Sequence, residues 1–159
     1  MISFDAVLLC TLADAPTGAF FQPAGPEETP FLVGVIGGNT PVAVELDETF
    51  NFAKAADWSR PRGFVVNGAR IVVDPSSAVA VEGRHDVPLG SMIAMGDSIA
   101  ILAQGSRMRQ AVRLGRDATR GAEYGDIAFT RWQVILGQGS AVHVLHEHEA
   151  GPDPSTMVA

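Results

Sequence analysis

Short apolar segments recur about every 8–12 residues along this chain, each closed off by Gly, Pro, Asn or Asp. No window sustains a 3.6-residue apolar period over the length of a helix. A chain punctuated in this way can bury its apolar residues only by pairing strands. Eleven segments are candidates: 4–11, 31–36, 42–46, 64–66, 70–73, 78–81, 92–95, 99–103, 111–114, 127–136 and 141–146. They predict an all-β fold, a sandwich or barrel of about eight to eleven short antiparallel strands. The sharpest local expectation is a hairpin over 64–73. There Asn67-Gly68 separates two β-branched runs and suits the two positive φ values of a type I′ turn. Gly37-Gly38-Asn39 and Gly96-Asp97 read as further turns.

A chain of 159 residues is expected to form one domain, over 1–148, with 149–159 as a C-terminal tail. Residues 13–30 hold four prolines and two glycines and read as a long extended arm or loop, with Phe20 and Phe21 as its apolar plug. A pseudo-repeat of two halves is suggested by residues 69–73 and 77–81, which resemble 130–135 and 140–144, and by 40–44, which resemble 97–101. Such halves would fold on each other and remove exposed sheet edges.

Composition narrows the class. Hydrophobic residues make up 47% of the chain and charged ones 18%, against about 25% charged in ordinary soluble proteins. That balance excludes an intrinsically disordered segment. The longest apolar stretch, eight residues at 31–38, is too short for a membrane span, which needs about 20. Met1-Ile2-Ser3-Phe4-Asp5 has no basic run of the kind that opens a secretory signal. The expected location is the cytoplasm, or a particle assembled there. The single Cys10 lies in the apolar run Ala6-Val7-Leu8-Leu9-Cys10, so it reads as a buried, inert thiol.

The net charge of −7 is unevenly distributed. Asp5, Asp14, Glu27, Glu28, Glu45, Asp47 and Glu48 fall in residues 1–53, which contain no Lys or Arg. Later, Arg107, Arg109, Arg113, Arg116 and Arg120 form a basic run, whose 109, 113, 116, 120 spacing would share one face of a helix but for Gly115. Acidic and basic surfaces on one chain can pair head to tail between copies. The alternative is two separate solvated surfaces. Binding to nucleic acid is not expected, because the chain is acidic overall and no aromatic interleaves with the arginines. Trp58, beside Arg60 and Arg62, reads either as a buried ring or as an interface anchor.

Catalytic chemistry has little to work with. There is no Gly-x-Ser-x-Gly, no phosphate-binding Gly-x-x-x-x-Gly-Lys, and the only lysine is Lys54. Gly137-Gln138-Gly139 is a turn without a helix pattern after it. No cofactor is called for. Three histidines cluster near the end, and on a strand His146 and His148 share a face, as two imidazoles on one metal ion would. His143 has the opposite parity, and His85 could join only through tertiary folding.

Gly68-Ala69-Arg70-Ile71, Gly96-Asp97-Ser98-Ile99 and Val112-Arg113-Leu114-Gly115-Arg116 resemble segments of the self-splicing Hint-type β domain. That family's initiating cysteine is missing, Val66-Asn67 standing before Gly68, so none of its functional residues carries over.

These features favour a non-enzymatic structural or assembly protein, one copy in a symmetric oligomer, with a phage-type virion component as a plausible setting. Its partners would be itself or other proteins of the assembly. The expected contact sets the acidic first third, with Glu27 and Glu28, against Arg107, Arg109, Arg113, Arg116 and Arg120, and docks Phe20 and Phe21 on a neighbour. The alternative is a β-barrel that binds a metal or small molecule through His146 and His148.

Overall fold

The computed structural model describes residues 1–25, 27–58, 62–81, 87–95, 98–115, 127–137 and 140–149. The expected tail beyond Glu149, with Arg60, His85, Arg116 and Arg120, lies outside them.

The fold is all-β, with fourteen strands and four short 3-10 turns among the described residues. Its strands are β1 (Val7–Thr11), β2 (Phe20–Pro23), β3 (Phe31–Ile36), β4 (Thr40–Glu45), β5 (Phe52–Lys54), β6 (Arg62–Val66) and β7 (Arg70–Val73). They continue as β8 (Ala78–Ala80), β9 (Met92–Met95), β10 (Ser98–Gln104), β11 (Arg109–Arg113), β12 (Ile127–Phe129), β13 (Arg131–Leu136) and β14 (His143–Glu149). The count exceeds the eleven expected segments because 127–136 is cut in two at Thr130, and because β2 and β5 form where loop was expected. No helix among the described residues is long and apolar enough to cross a membrane.

Eleven strands make one antiparallel sheet, in the order β1-β6-β2-β3-β11-β10-β9-β12-β8, with β4 and then β5 branching from β3. The branch arises because β3 is shared. β4 pairs along its whole length, while β2 takes Phe31 and Leu32 and β11 takes Val35. The other three strands form a small sheet, β14-β13-β7. The suggested repeat partners β7 and β13 are neighbours in that sheet, whereas β8 and β14 lie in different sheets.

The apolar runs of β2, β3 and β4 follow from burial on both faces. Alternate residues point to opposite sides of a sheet. Phe20, Leu32, Val42 and Val44 therefore enter the core beneath the small sheet, where Trp132 and Val134 of β13 meet them. Phe21, Phe31, Val33 and Ala43 face the other way, into a second core with Leu12, Val65 and the rim of Trp58. This corrects the expected arm: Phe20 and Phe21 are 4% and 0% exposed. Two adjacent phenylalanines satisfy two cores at once and leave nothing to dock on a neighbour.

The Asn67-Gly68 hairpin is also corrected. β6 and β7 do not pair; β6 belongs to the large sheet and β7 to the small one. Gly68 has φ +80°, Asn67 does not have a positive φ, and the Ala69 N–H donates to the Val66 carbonyl at 3.3 Å. That is the pattern of a type II turn, whose twist does not suit a two-residue hairpin. The turn hands the chain from one sheet to the other.

Candidate functional site

Two features of the surface and core stand out: an aromatic cluster built around the histidine pair, and the outermost strand of the large sheet.

The cluster is assembled by strand register. On β13, Trp132 and Val134 point inward, and β14 sets His148 opposite Trp132 and His146 opposite Val134. A bulge at Leu145 precedes them, because Ile135 pairs with Val144 and Val134 with His146. Both imidazoles therefore share one face, as expected, while His143 is exposed. Their rings lie 5.6 Å and 5.3 Å from the Trp132 ring. Phe20 stands 6.4 Å from His146, and Phe50 meets His148 edge-on at 4.8 Å.

Gly90 closes this cluster. Its φ is +84°, and a Cβ there would stand 2.4 Å from the Phe50 ring and 2.9 Å from His148 Nε2. Its carbonyl accepts from Trp132 Nε1 at 2.7 Å, and its N–H donates to the Leu102 carbonyl at 2.8 Å. Phe50 itself sits at φ +46° and is 3% exposed. A bulky residue in the left-handed region is strained, and here the surrounding packing holds its ring against Gly90.

His148 Nε2 is buried without a hydrogen-bond partner. Among the described residues no three His, Cys, Asp or Glu groups are placed to hold one metal ion. A surface cavity of about 390 Å³ borders Trp132 and His148 and is lined by Val72, Gln133 and Glu147, with Asp74, Arg131 and Glu149 beside them. There Arg131 pairs with Asp74 at 3.2 Å. Hydrogen bonds from the Ser76 hydroxyl and N–H, then Arg131, hold the Asp74 carboxyl below its ordinary value.

Burial pushes both imidazoles down, and His148, with His146 beside it, reaches about 4. In the unfolded chain they return to about 6.5. Between those values the unfolded chain binds protons that the folded one refuses, so stability is present above pH 6.5 and drains away as pH falls towards 4. Melting temperature is expected to drop between about pH 7 and pH 4.5. His148→Phe, which keeps a ring against Trp132, should flatten that part of the curve; an unchanged slope would contradict the assignment.

Among the described residues, Arg107, Arg109 and Arg113 do not form one patch. Arg113 is 5% exposed, and its guanidinium donates to the Gly37 carbonyl. Arg109 is half-buried and donates to the Val87 carbonyl at 3.3 Å. Arg107 is exposed at the β10–β11 turn beside Met108, which is 57% exposed. Arg109 and Arg113 lie on a strand, not a helix. On the acidic side, Glu27 is exposed and Glu28 half-buried, its carbonyl accepting from Gln22 Nε2 at 2.9 Å. Trp58 is half-buried, meets Phe31 edge-on at 4.9 Å and donates to the Ala43 carbonyl. It anchors within its own chain.

The second feature was hidden in the sequence. β1 is the end strand of the large sheet and pairs only with β6 among the described residues. Leu8 is 49% exposed and Leu9 71%, with Phe4 of the preceding 3-10 turn at 78%. Leu8 and Leu9 point to opposite faces, so the strand is bare on both. Cys10 is half-buried there rather than enclosed, and burial together with Asp14 pushes its thiol above the ordinary value. The apolar run 6–10 reads as a core strand, and only tertiary placement shows that the second core touches it at Cys10 and leaves Leu8 and Leu9 bare.

Comparisons with known proteins give one family. The model of a family described as "Uncharacterised protein y4lG" matches residues 9–155. The uncharacterized protein y4lG of Sinorhizobium fredii (strain NBRC 101917 / NGR234) is 30% identical over 149 residues, covering 91% of each chain. No solved structure matches.

Proposed function

The chain belongs to the y4lG family, and from its own geometry we propose that it is a non-enzymatic structural or assembly protein, one subunit of a symmetric oligomer or of a larger particle. The carrying observation is β1, an apolar end strand exposed on both faces, with Leu9 71% bare. Natural sheets protect their edges with charge, proline, bulges or a covering segment. β1 carries no charge and no proline, and an edge of this kind is a template for another strand. A phage-type virion is one setting for such a subunit.

The contact in this reading is apolar. The acid-to-arginine contact suggested by composition loses its main support, because Arg113 and Arg109 are engaged inside the chain. Sedimentation velocity at micromolar concentrations should show an oligomer that persists when salt is raised. A contact between exposed charges would weaken under the same screening. A strict monomer at low and high salt would overturn the reading.

A further inference from the structure

We infer that β1 docks on β1 of a second copy, antiparallel about a two-fold axis at Leu9, so that two large sheets merge edge to edge. This rests on the assembly reading and names its partner and register.

The backbone phase selects the register. The Ala6 carbonyl accepts from the Asn67 N–H at 2.7 Å, so Ala6 directs its carbonyl towards β6, while its N–H closes the 3-10 turn on the Ser3 carbonyl. In an antiparallel ladder this alternates. Leu8 and Cys10 then also bond to β6, while Leu9 and Thr11 turn N–H and C=O to the open side and Val7 turns its C=O there, its own N–H donating to the Phe4 carbonyl of the preceding 3-10 turn. The neighbouring ladder agrees in phase: the Arg62 carbonyl turns the other way, to the Ala24 N–H at 3.0 Å. These three residues, spaced two apart, match their own reverse. Val7 faces Thr11, Leu9 faces Leu9 and Thr11 faces Val7; the central Leu9 pair exchanges two hydrogen bonds and each outer pair one, from the Thr11 N–H to the Val7 carbonyl. No other two-fold register uses all three.

Area and charge fit a second copy. Met1, Phe4, Leu8 and Leu9 leave the equivalent of about three side chains bare. That is on the order of 500 Å² per copy and 1,000 Å² for the pair, about where specific interfaces begin. Arg62, exposed on β6 opposite Thr11, and the exposed Asp5 of the second copy, two residues from the Val7 that faces Thr11, bring opposite charges to the same end of the contact.

The same register sets Leu8 opposite Cys10 as a non-hydrogen-bonded pair. In such a pair the Cα atoms lie about 4.5 Å apart, within disulfide reach. The test is Leu8→Cys in the otherwise intact protein under mild oxidation, with wild type and the double variant Leu8→Cys/Cys10→Ser as controls. A covalent dimer from Leu8→Cys, with peptide mapping that joins positions 8 and 10, is expected. Neither control should cross-link comparably.

Leu9→Lys, at an exposed position the fold does not need, should return the protein to monomer with an unchanged melting temperature at low concentration. An oligomer that joins 8 to 8, or does not cross-link, would overturn this pairing and leave assembly standing. A strict monomer would overturn both. A monomer in which the Leu9 and Thr11 amides exchange as slowly as core strands would show the edge covered by its own chain, and would equally end the proposal.

Discussion

Trp132→Ala is expected to cost about 3–5 kcal/mol of folding free energy, a large part of the 5–15 kcal/mol that holds a typical domain together. Trp132 is 2% exposed and joins the two sheets: it sits on the middle strand of the small sheet and packs into the core formed by the large one. Truncation opens a cavity between His146, His148 and that core. It also removes the donor from the Gly90 carbonyl, which then stays buried without a partner. Urea denaturation measures the loss. Trp132→Phe keeps most of the volume and should show mainly the hydrogen-bond share, about 1–3 kcal/mol. A near-neutral Trp132→Ala would mean that the sheets are held together elsewhere.

The second large effect lies at Gly63, on β6 between β1 and β2. A Cβ there would stand 2.2 Å from the Gln22 carbonyl oxygen and 2.8 Å from the Pro23 Cα. Both are backbone atoms of a paired strand, so no side chain can swing aside. Gly63→Ala should cost about 3 kcal/mol, at the upper end of ordinary overpacking. Gly38→Ala is the matched control, because nothing lies within 4 Å of its Cβ position and its φ is not positive. It should fall within about 0.5 kcal/mol of wild type. Equal effects at the two glycines would refute the steric account.

The strand content was legible because alternation and punctuation are local. Phe31–Ile36, Arg70–Val73 and Met92–Met95 form with the bounds read from residue types alone. Partnership was not local. Asn67-Gly68 is a sound turn signal, yet the choice between turning back and crossing over depends on what waits on the other side. Here β13 offers Val73 the partner Trp132, and β6 is already held by β1 and β2. Phe20-Phe21 sat among prolines and glycines and read as an arm, because nothing nearby announces that two cores lie on either side of it.

The histidines were placed on one face by parity, and they are. Their surroundings were invisible, since Phe50, Gly90 and Trp132 come from distant segments. Arg109 and Arg113 leave the expected patch for the same reason: a run of like charge in sequence says nothing about Gly37, whose carbonyl receives Arg113.

The crossing at Gly68 also sets an order of events as the chain is made. β7 leaves the turn with no local partner, and its register joins Arg70 to Ile135 and Val73 to Trp132, about sixty residues away. Closing so long a loop is entropically unfavourable until many contacts form together, and topologies of this kind fold slowly. On a ribosome, β1 to β6 can pair while β7 waits for β13 to be synthesised. Until then Phe20, Val44 and their neighbours face water on the side that Trp132 will cover. The half-made protein is therefore stickier than the finished one, and it stays so for the time it takes to add the strands from β7 to β13.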